Sequence, residues 1–136
     1  MSLNKTKYGR KAVLDHFFGR NSYAFPTNVY AALFSGDPTD AGLLTDELTE
    51  SGYARQEISA LLGDADLTTG VISNNVLIQY GPATEDWSEI THIGIMDSAT
   101  IGAGNMIYFG PAVTSRTVNN ADTFDIKVGQ ITIQER

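Results

Sequence analysis

The two histidines, His16 and His92, are the side chains of this sequence best suited to acid–base catalysis or metal binding. A metal site needs several converging ligands, but neither histidine has a ligand residue two or four positions further along the chain. Asp97 could orient the His92 ring only across a sharp bend, because residues 92 and 97 of one strand point to opposite faces. The sequence therefore predicts a packed or hydrogen-bonded His92, with neither a catalytic residue nor a metal site.

Other motifs that carry chemistry are also incomplete. There is no Gly-x-Ser-x-Gly nucleophile motif, and residues 102–104 form a lone Gly-x-Gly without the third glycine and helix that bind a pyrophosphate. The pairs Asp37/Asp40 and Asp64/Asp66 lack the ligand spacing of a calcium loop. Spacing alone leaves a carboxylate pair for glycoside hydrolysis open, although no aromatic residues cluster around such a pair. The sequence thus predicts no cofactor and no enzymatic activity.

Charge is distributed unevenly along the chain, whose formal net charge is −7. Residues 1–20 hold five bases and one acid, whereas residues 21–136 hold four bases and fifteen acids. A positive segment on an acidic body favours contacts with an acidic protein surface or head-to-tail contacts, and it argues against nucleic-acid or membrane binding by the body. The partner interface is predicted at four basic residues: Lys5, Lys7, Arg10 and Lys11.

One helix is predicted, from Asn4 to Phe18, and Gly19 ends it. Its main apolar residues lie within a sector of about 140°, so the second half of the helix is expected to pack on its own domain. These residues are Val13, Leu14, Phe17 and Phe18. Basic residues occupy the same sector in the first half, which must therefore face water or an acidic partner.

Short alternating runs of apolar and polar residues, separated by turn residues, predict seven or eight strands after the helix. The centre is a hairpin from Trp87 to Gly110, whose first strand carries apolar residues on both faces and is expected to be covered on both. Crossover helices are missing, so parallel βαβ units are excluded. The predicted fold is mainly β: an antiparallel β-sandwich or jelly-roll-like barrel with one N-terminal α-helix.

The length of 136 residues fits one globular unit. We expect a basic helical arm at residues 1–20 and a single β-sandwich domain at residues 21–136. The chain has no cysteine, and no apolar run approaches the ~20 residues of a membrane span. Neither disulfides nor membrane insertion are therefore expected.

Several short motifs follow one another in a characteristic order along the chain. They are LDHFFG (14–19), VYAALFSGDP (29–38), GYARQ (52–56), W-x-x-I-T-H-x-G-I-x-D (87–97) and G-x-I-T-I (129–133). In this order and spacing the chain resembles small structural proteins of tailed bacteriophages that are often labelled tail-fibre or head-decoration proteins. The resemblance implies a virion component without catalytic activity, made in the cytoplasm of the host bacterium.

A capsid cement or decoration protein is the location that we expect first from this resemblance. The chain stops three residues after Ile133, which leaves no room for the shaft of a fibre. The partner would be the major capsid protein or another virion protein, and the resemblance also implies a homo-oligomer such as a trimer. A component of the tail fibre or tail base is the alternative.

Two other classes of protein stay open. A carbohydrate- or receptor-binding β-sandwich would need an exposed aromatic cluster, for which Tyr23, Phe25 and Trp87 are the candidates. An enzyme would need His92 in an open cleft beside a carboxylate.

Overall fold

The structure, a computed structural model, describes residues 1–21 and 26–135. Within these residues the chain forms nine strands and one helix, and the helix follows the first strand. This confirms the predicted mainly β fold with one N-terminal helix. The elements are β1 (Ser2–Lys5), α1 (Lys7–Phe17), β2 (Tyr30–Phe34), β3 (Gln56–Glu57), β4 (Val71–Ser73), β5 (Ile78–Tyr80), β6 (Ile90–Met96), β7 (Met106–Arg116), β8 (Phe124–Ile126) and β9 (Thr132–Gln134).

Seven strands form one sheet in the order β3-β2-β6-β7-β1-β9-β4, which curls into a half-barrel of the sandwich and barrel class. Strands β5 and β8 pair in a separate two-stranded sheet. Every neighbouring pair is antiparallel except β1 and β9, which run parallel. The strand that begins the chain therefore lies inside the sheet, beside the strand that ends the described residues.

Strand β6 is buried on both faces, as its sequence predicts. Ile93 and Ile95 pack in the main core, whereas Met96 packs in a second cluster with Phe34. The alternation predicts Ile90 on the face of Met96, but Ile90 packs in the main core. A shift in the register between β6 and β7 just after Ile90 interrupts the alternation, which accounts for the difference.

The predicted helix over 4–18 begins too early. Residues Ser2–Lys5 pair with β7 on one side and β9 on the other, and only Lys7–Phe17 is helical. The break falls at Thr6, whose hydroxyl accepts the backbone N–H of Gly9 as a helix N-cap and donates to the carbonyl of Met106 at 2.6 Å. The division into an arm at residues 1–20 and a domain at residues 21–136 stays a prediction. Because residues 2–5 are part of the sheet, only the helix could act as such an arm.

The helix packs on β7 through its smallest residue. Gly9 is buried, and a Cβ at that position would overlap the carbonyl oxygen of Ile107. At about 100° per residue, Phe18 lies opposite Gly9 and Leu14 nearly so. The exposed fractions of Leu14, Phe17 and Phe18 are 57%, 76% and 74%, so the prediction that the second half of the helix is buried is wrong.

A buried ion pair fixes the tip of the β6–β7 hairpin. Arg55, which the alternation predicts on a half-exposed strand, is buried and donates to both carboxylate oxygens of Glu47 at 2.7 Å. Its remaining guanidinium nitrogen donates to the carbonyls of Ser98 and Ala103, at 2.7 Å and 2.9 Å. The carboxylate also accepts the backbone N–H of Gly102 at 2.8 Å. The buried Arg55–Glu47 pair is thus hydrogen-bonded to the backbone of the hairpin tip.

Candidate interaction surface

The side of α1 that faces away from β7 forms a continuous stripe, which we call the outer helix face. Its first half is basic and its second half is apolar, because the helix repeat brings the two groups into line along one side. The outer helix face consists of Lys7, Arg10, Lys11, Leu14, Phe17 and Phe18.

Carboxylates of the same chain lie beside the basic half. Asp40 is 3.8 Å from the Lys7 ammonium and 3.0 Å from the Arg10 guanidinium, and Lys11 bonds to Asp15 one turn along the helix. The hydrogen bond from Lys11, followed by one from Asn21, holds the pKa of Asp15 below its usual value. Exposed pairs of this kind contribute little to stability and exchange readily with other partners.

The four predicted interface residues do not all lie together. Lys7, Arg10 and Lys11 share the outer helix face, with 68%, 49% and 71% of their side chains exposed. Lys5 lies on β1, is 19% exposed and pairs with Glu135. The role of all four in partner binding stays a prediction, and Lys5 has the least surface to offer.

An open groove of about 400 Å³ lies between β1 and the helix. Tyr108 is in its lining, and its hydroxyl donates to Glu135 at 3.2 Å. Burial, followed by the charge of Glu135, raises the pKa of Tyr108 to about 12. The groove is lined by Ser2, Leu3, Asn4, Lys5, Arg10, Tyr108 and Gln134. Its cations already face carboxylates, since Lys5 pairs with Glu135 and Arg10 with Asp40.

His92 is 21% exposed, with its Nδ1 2.9 Å from the hydroxyl of Thr91 and its Nε2 3.9 Å from Asp37. The second distance is too long for a hydrogen bond. Asp97 was the candidate partner for this ring in the sequence. Its carboxylate instead accepts hydrogen bonds from the backbone and side-chain N–H groups of Asn105, at 2.7 Å and 3.1 Å. The arrangement gives a surface ion pair when His92 is protonated. No group of three or more potential metal ligands occurs among the described residues.

Trp87 does not belong to an exposed aromatic cluster. It is buried in the main core, meets Tyr53 edge-on, and its indole N–H donates to the carbonyl of Ser51 at 2.9 Å. The alternative of a carbohydrate- or receptor-binding module, which needs Trp87 in an exposed aromatic cluster, therefore loses this candidate. Tyr23 and Phe25 lie outside the described residues.

Sequence reasoning missed the apolar half of the outer helix face as a surface feature. It placed the largest apolar residues inward, whereas the structure turns Gly9 inward, with Ala12 beside it on the helix wheel. Small residues three positions apart are the signal that could have revealed the side of closest packing, because they let a helix approach a strand.

No helix in residues 1–21 and 26–135 is long and apolar enough to cross a membrane. The chain matches the protein family described as podophage GP4 fiber I protein gp80 over residues 4–134. Comparison with individually curated proteins finds no match. The family match covers the helix, the whole outer helix face and all of the strands except the first two residues of β1.

Proposed function

The chain belongs to the podophage GP4 fiber I protein gp80 family and is a structural protein of the phage virion, and from this premise we propose that it is a non-enzymatic component of a virion fibre. The predicted resemblance to phage structural proteins and the predicted virion location are confirmed by this membership. The single observation that carries the fibre role is the family match over residues 4–134.

The fibre role replaces capsid cement as our first choice of location. We expected cement because the chain ends soon after Ile133, which is an argument about length alone. The family description favours a fibre instead.

The absence of catalysis is part of the same proposal. The imidazole of His92 has a carboxylate nearby, but the 3.9 Å separation from Asp37 does not orient the ring as a hydrogen bond would. Asp37 is itself 58% exposed, so water competes for its charge. A structural role explains this pair as a surface contact between β6 and the turn after β2.

Attachment to other virion proteins through the basic residues is the remaining element of the proposal. Lys7, Arg10 and Lys11 offer exposed charge on one face of a helix that is seated on the sheet. Lys5 would contribute less, because only 19% of its side chain is exposed. An acidic protein surface fits this face, and such contacts weaken as salt screens them.

Copy number per particle tests the fibre role. Quantitative mass spectrometry of purified virions should find few copies, in a multiple of the rotational symmetry of the fibre attachment site. A number that matches the repeating lattice of the capsid would identify a decoration protein instead. Gold-labelled antibodies against the chain should bind fibres rather than the capsid surface.

Reversing the charge of the basic half tests the attachment. Lys7→Glu, Arg10→Glu and Lys11→Glu together should lower incorporation into virions and leave folding nearly intact, because exposed ion pairs contribute little to stability. Arg116→Glu with Lys127→Glu is the control, because both residues are exposed and lie away from the helix. Equal incorporation of the two variants would contradict the assignment.

A further inference from the structure

The apolar half of the outer helix face is left largely exposed to water in a single chain. Leu14, Phe17 and Phe18 are adjacent, large and mostly exposed, whereas scattered single apolar residues are what a protein surface normally shows. His16 meets the Phe17 ring edge-on but leaves most of it in water. A cluster of this kind marks a contact with another protein surface.

The charge beside this cluster restricts what can cover it. The stripe continues into Lys7, Arg10 and Lys11, whose side chains stay 68%, 49% and 71% exposed beside Asp40 and Asp15, so a partner with an apolar group next to carboxylates fits it. Two outer helix faces packed in parallel and in register would bring like charges together, which is unfavourable. An acidic surface therefore fits the outer helix face better than a parallel copy of the same helix does.

The chain itself carries such a surface. Between Arg55 and Arg116 the sequence has seven carboxylates and neither lysine nor arginine. Within that stretch the Leu67 loop, which we define as residues 63–70, places Leu67 close to Asp64 and Asp66 in sequence. Leu67 is 102% exposed, the highest value among the exposed large apolar residues of the described chain.

The Leu67 loop is held in shape by its own hydrogen bonds. The carboxylate of Asp66 accepts the backbone N–H groups of Thr68 and Thr69 at 2.9 Å and 2.8 Å. The backbone of Asp66 bonds to Val71 and Gly70, at 2.9 Å and 2.8 Å. Leu67 is thus presented to water by a closed turn, and little conformational entropy remains to be lost when it binds.

We propose that the outer helix face of one copy binds the Leu67 loop of a second copy. Leu67 packs against Leu14, Phe17 and Phe18, while the carboxylates of the loop lie along the basic half of the helix. The two surfaces are different, so each copy keeps one free face and one free loop. Contacts of this heterologous kind continue into a ring or an open filament.

The inference deepens the proposed function and rests on it for its place in the virion, since a repeating head-to-tail contact supplies a fibre with subunits. The contact itself is a property of the purified chain. A few side chains on each partner cover less than the ~800 Å² per partner of a standard interface, so association is weak and depends on concentration. In a particle the neighbouring attachment sites raise the local concentration.

Sedimentation velocity of the purified full chain tests the contact. The sedimentation coefficient of the wild type should rise between about 10 µM and about 1 mM and fall back in high salt. Phe17→Ser with Phe18→Ser removes the face, and Leu67→Ser removes the loop. Each variant alone should stay monomeric. Val113→Ser is the matched control, because Val113 is also an exposed aliphatic residue, and this variant should associate as the wild type does.

Mixing the two variants gives the decisive measurement. The face variant keeps its loop and the loop variant keeps its face, so an equimolar mixture should form dimers and nothing larger. A mixture that stays monomeric, a wild type that stays monomeric throughout, or association that survives Leu67→Ser overturns the proposal. None of these results bears on the copy number, so the fibre role and the self-contact fail separately.

A charge swap tests the same contact without changing the apolar residues. Lys11→Glu should weaken association at least about tenfold, and a loop variant with Asp64→Lys should do the same. Combining the two substitutions in one chain brings opposite charges together at every contact and should restore association. Circular dichroism of each variant checks that the fold is kept, and equal weakening with no restoration would overturn the assigned pairing.

Discussion

Charged groups are buried in the network of Arg55 and Glu47 at the hairpin tip, whereas apolar groups are exposed on the outer helix face. At the hairpin tip, Arg55 and Glu47 are buried and bonded to each other, to backbone groups and to Tyr53. On the outer helix face, Phe17 and Phe18 are largely in water. The first region is complete within one chain, whereas the second is completed by contact with another protein. The difference separates the residues that stabilise this fold from the residues that are free to bind.

Breaking the buried pair should have the largest effect on stability. Arg55→Met leaves the Glu47 carboxylate buried without its cation, and we expect the free energy of unfolding to fall by about 3–5 kcal/mol. Urea unfolding followed by circular dichroism measures it.

The double variant sharpens that measurement. Replacing Glu47 by leucine in the Arg55→Met background removes the orphaned charge, so it should recover much of the lost stability. If the double variant is no more stable than the single one, the hydrogen bonds from Arg55 to the hairpin tip contribute more than the ion pair does.

A substitution where α1 packs on β7 should have the next largest effect on the free energy of unfolding. Gly9→Ala places a methyl group against the carbonyl of Ile107, so the helix must shift or tilt, at a cost of about 1–3 kcal/mol. Lys11→Ala is the control on the exposed side, where a good helix former should be nearly neutral. Equal stability of the Gly9→Ala variant and the wild type would contradict the close packing of α1 on β7.

Alkaline pH should weaken the buried region through Tyr53. Burial, followed by the charge of Glu47, raises the pKa of this phenol above its usual value of about 10. The folded state therefore keeps the proton longer than the unfolded state does, and stability falls as pH rises above about 10. Tyr53→Phe should reduce that slope in unfolding measurements between about pH 9 and about pH 11. An unchanged slope would assign the effect to other tyrosines.

The smallest effect on stability is expected at the outer helix face. Phe17→Ser with Phe18→Ser removes side chains that are exposed before and after folding, so the free energy of unfolding should change by no more than about 0.5 kcal/mol. A loss comparable to that of Gly9→Ala would show that these rings stabilise the single chain, and it would remove the contrast between the two regions.

The strands were the predictable part of the fold. The apolar runs of β2 and β6 are local and indicate strands buried on both faces, and the alternation along β8 predicts the burial of Phe124 and Ile126 directly. The prediction located the centre of the helix correctly but assigned the wrong side of it to the core. A helix wheel weights large apolar residues, whereas the closest packing on β7 depends on Gly9. Strand β1 was missed because its two partners lie more than a hundred positions away in sequence.

The candidate site was predictable only in its charges. Lys7, Arg10 and Lys11 stand out as a basic run in an otherwise acidic chain. The exposed aromatic rings beside them could not be found by composition, because their exposure depends on which side of the helix meets the sheet. Arg55 was misplaced for the opposite reason: its burial depends on Glu47, which pairing along one strand cannot reveal.

The position of β1 between β7 and β9 has a consequence for the order of assembly during synthesis. Strand β1 has no sheet to join until β7 is made more than a hundred residues later, and β9 completes its second edge later still. Contacts of such long sequence separation slow folding. Until β9 is made, β1 and β4 lack the strand that pairs with both of them, and open strand edges are where nascent chains aggregate.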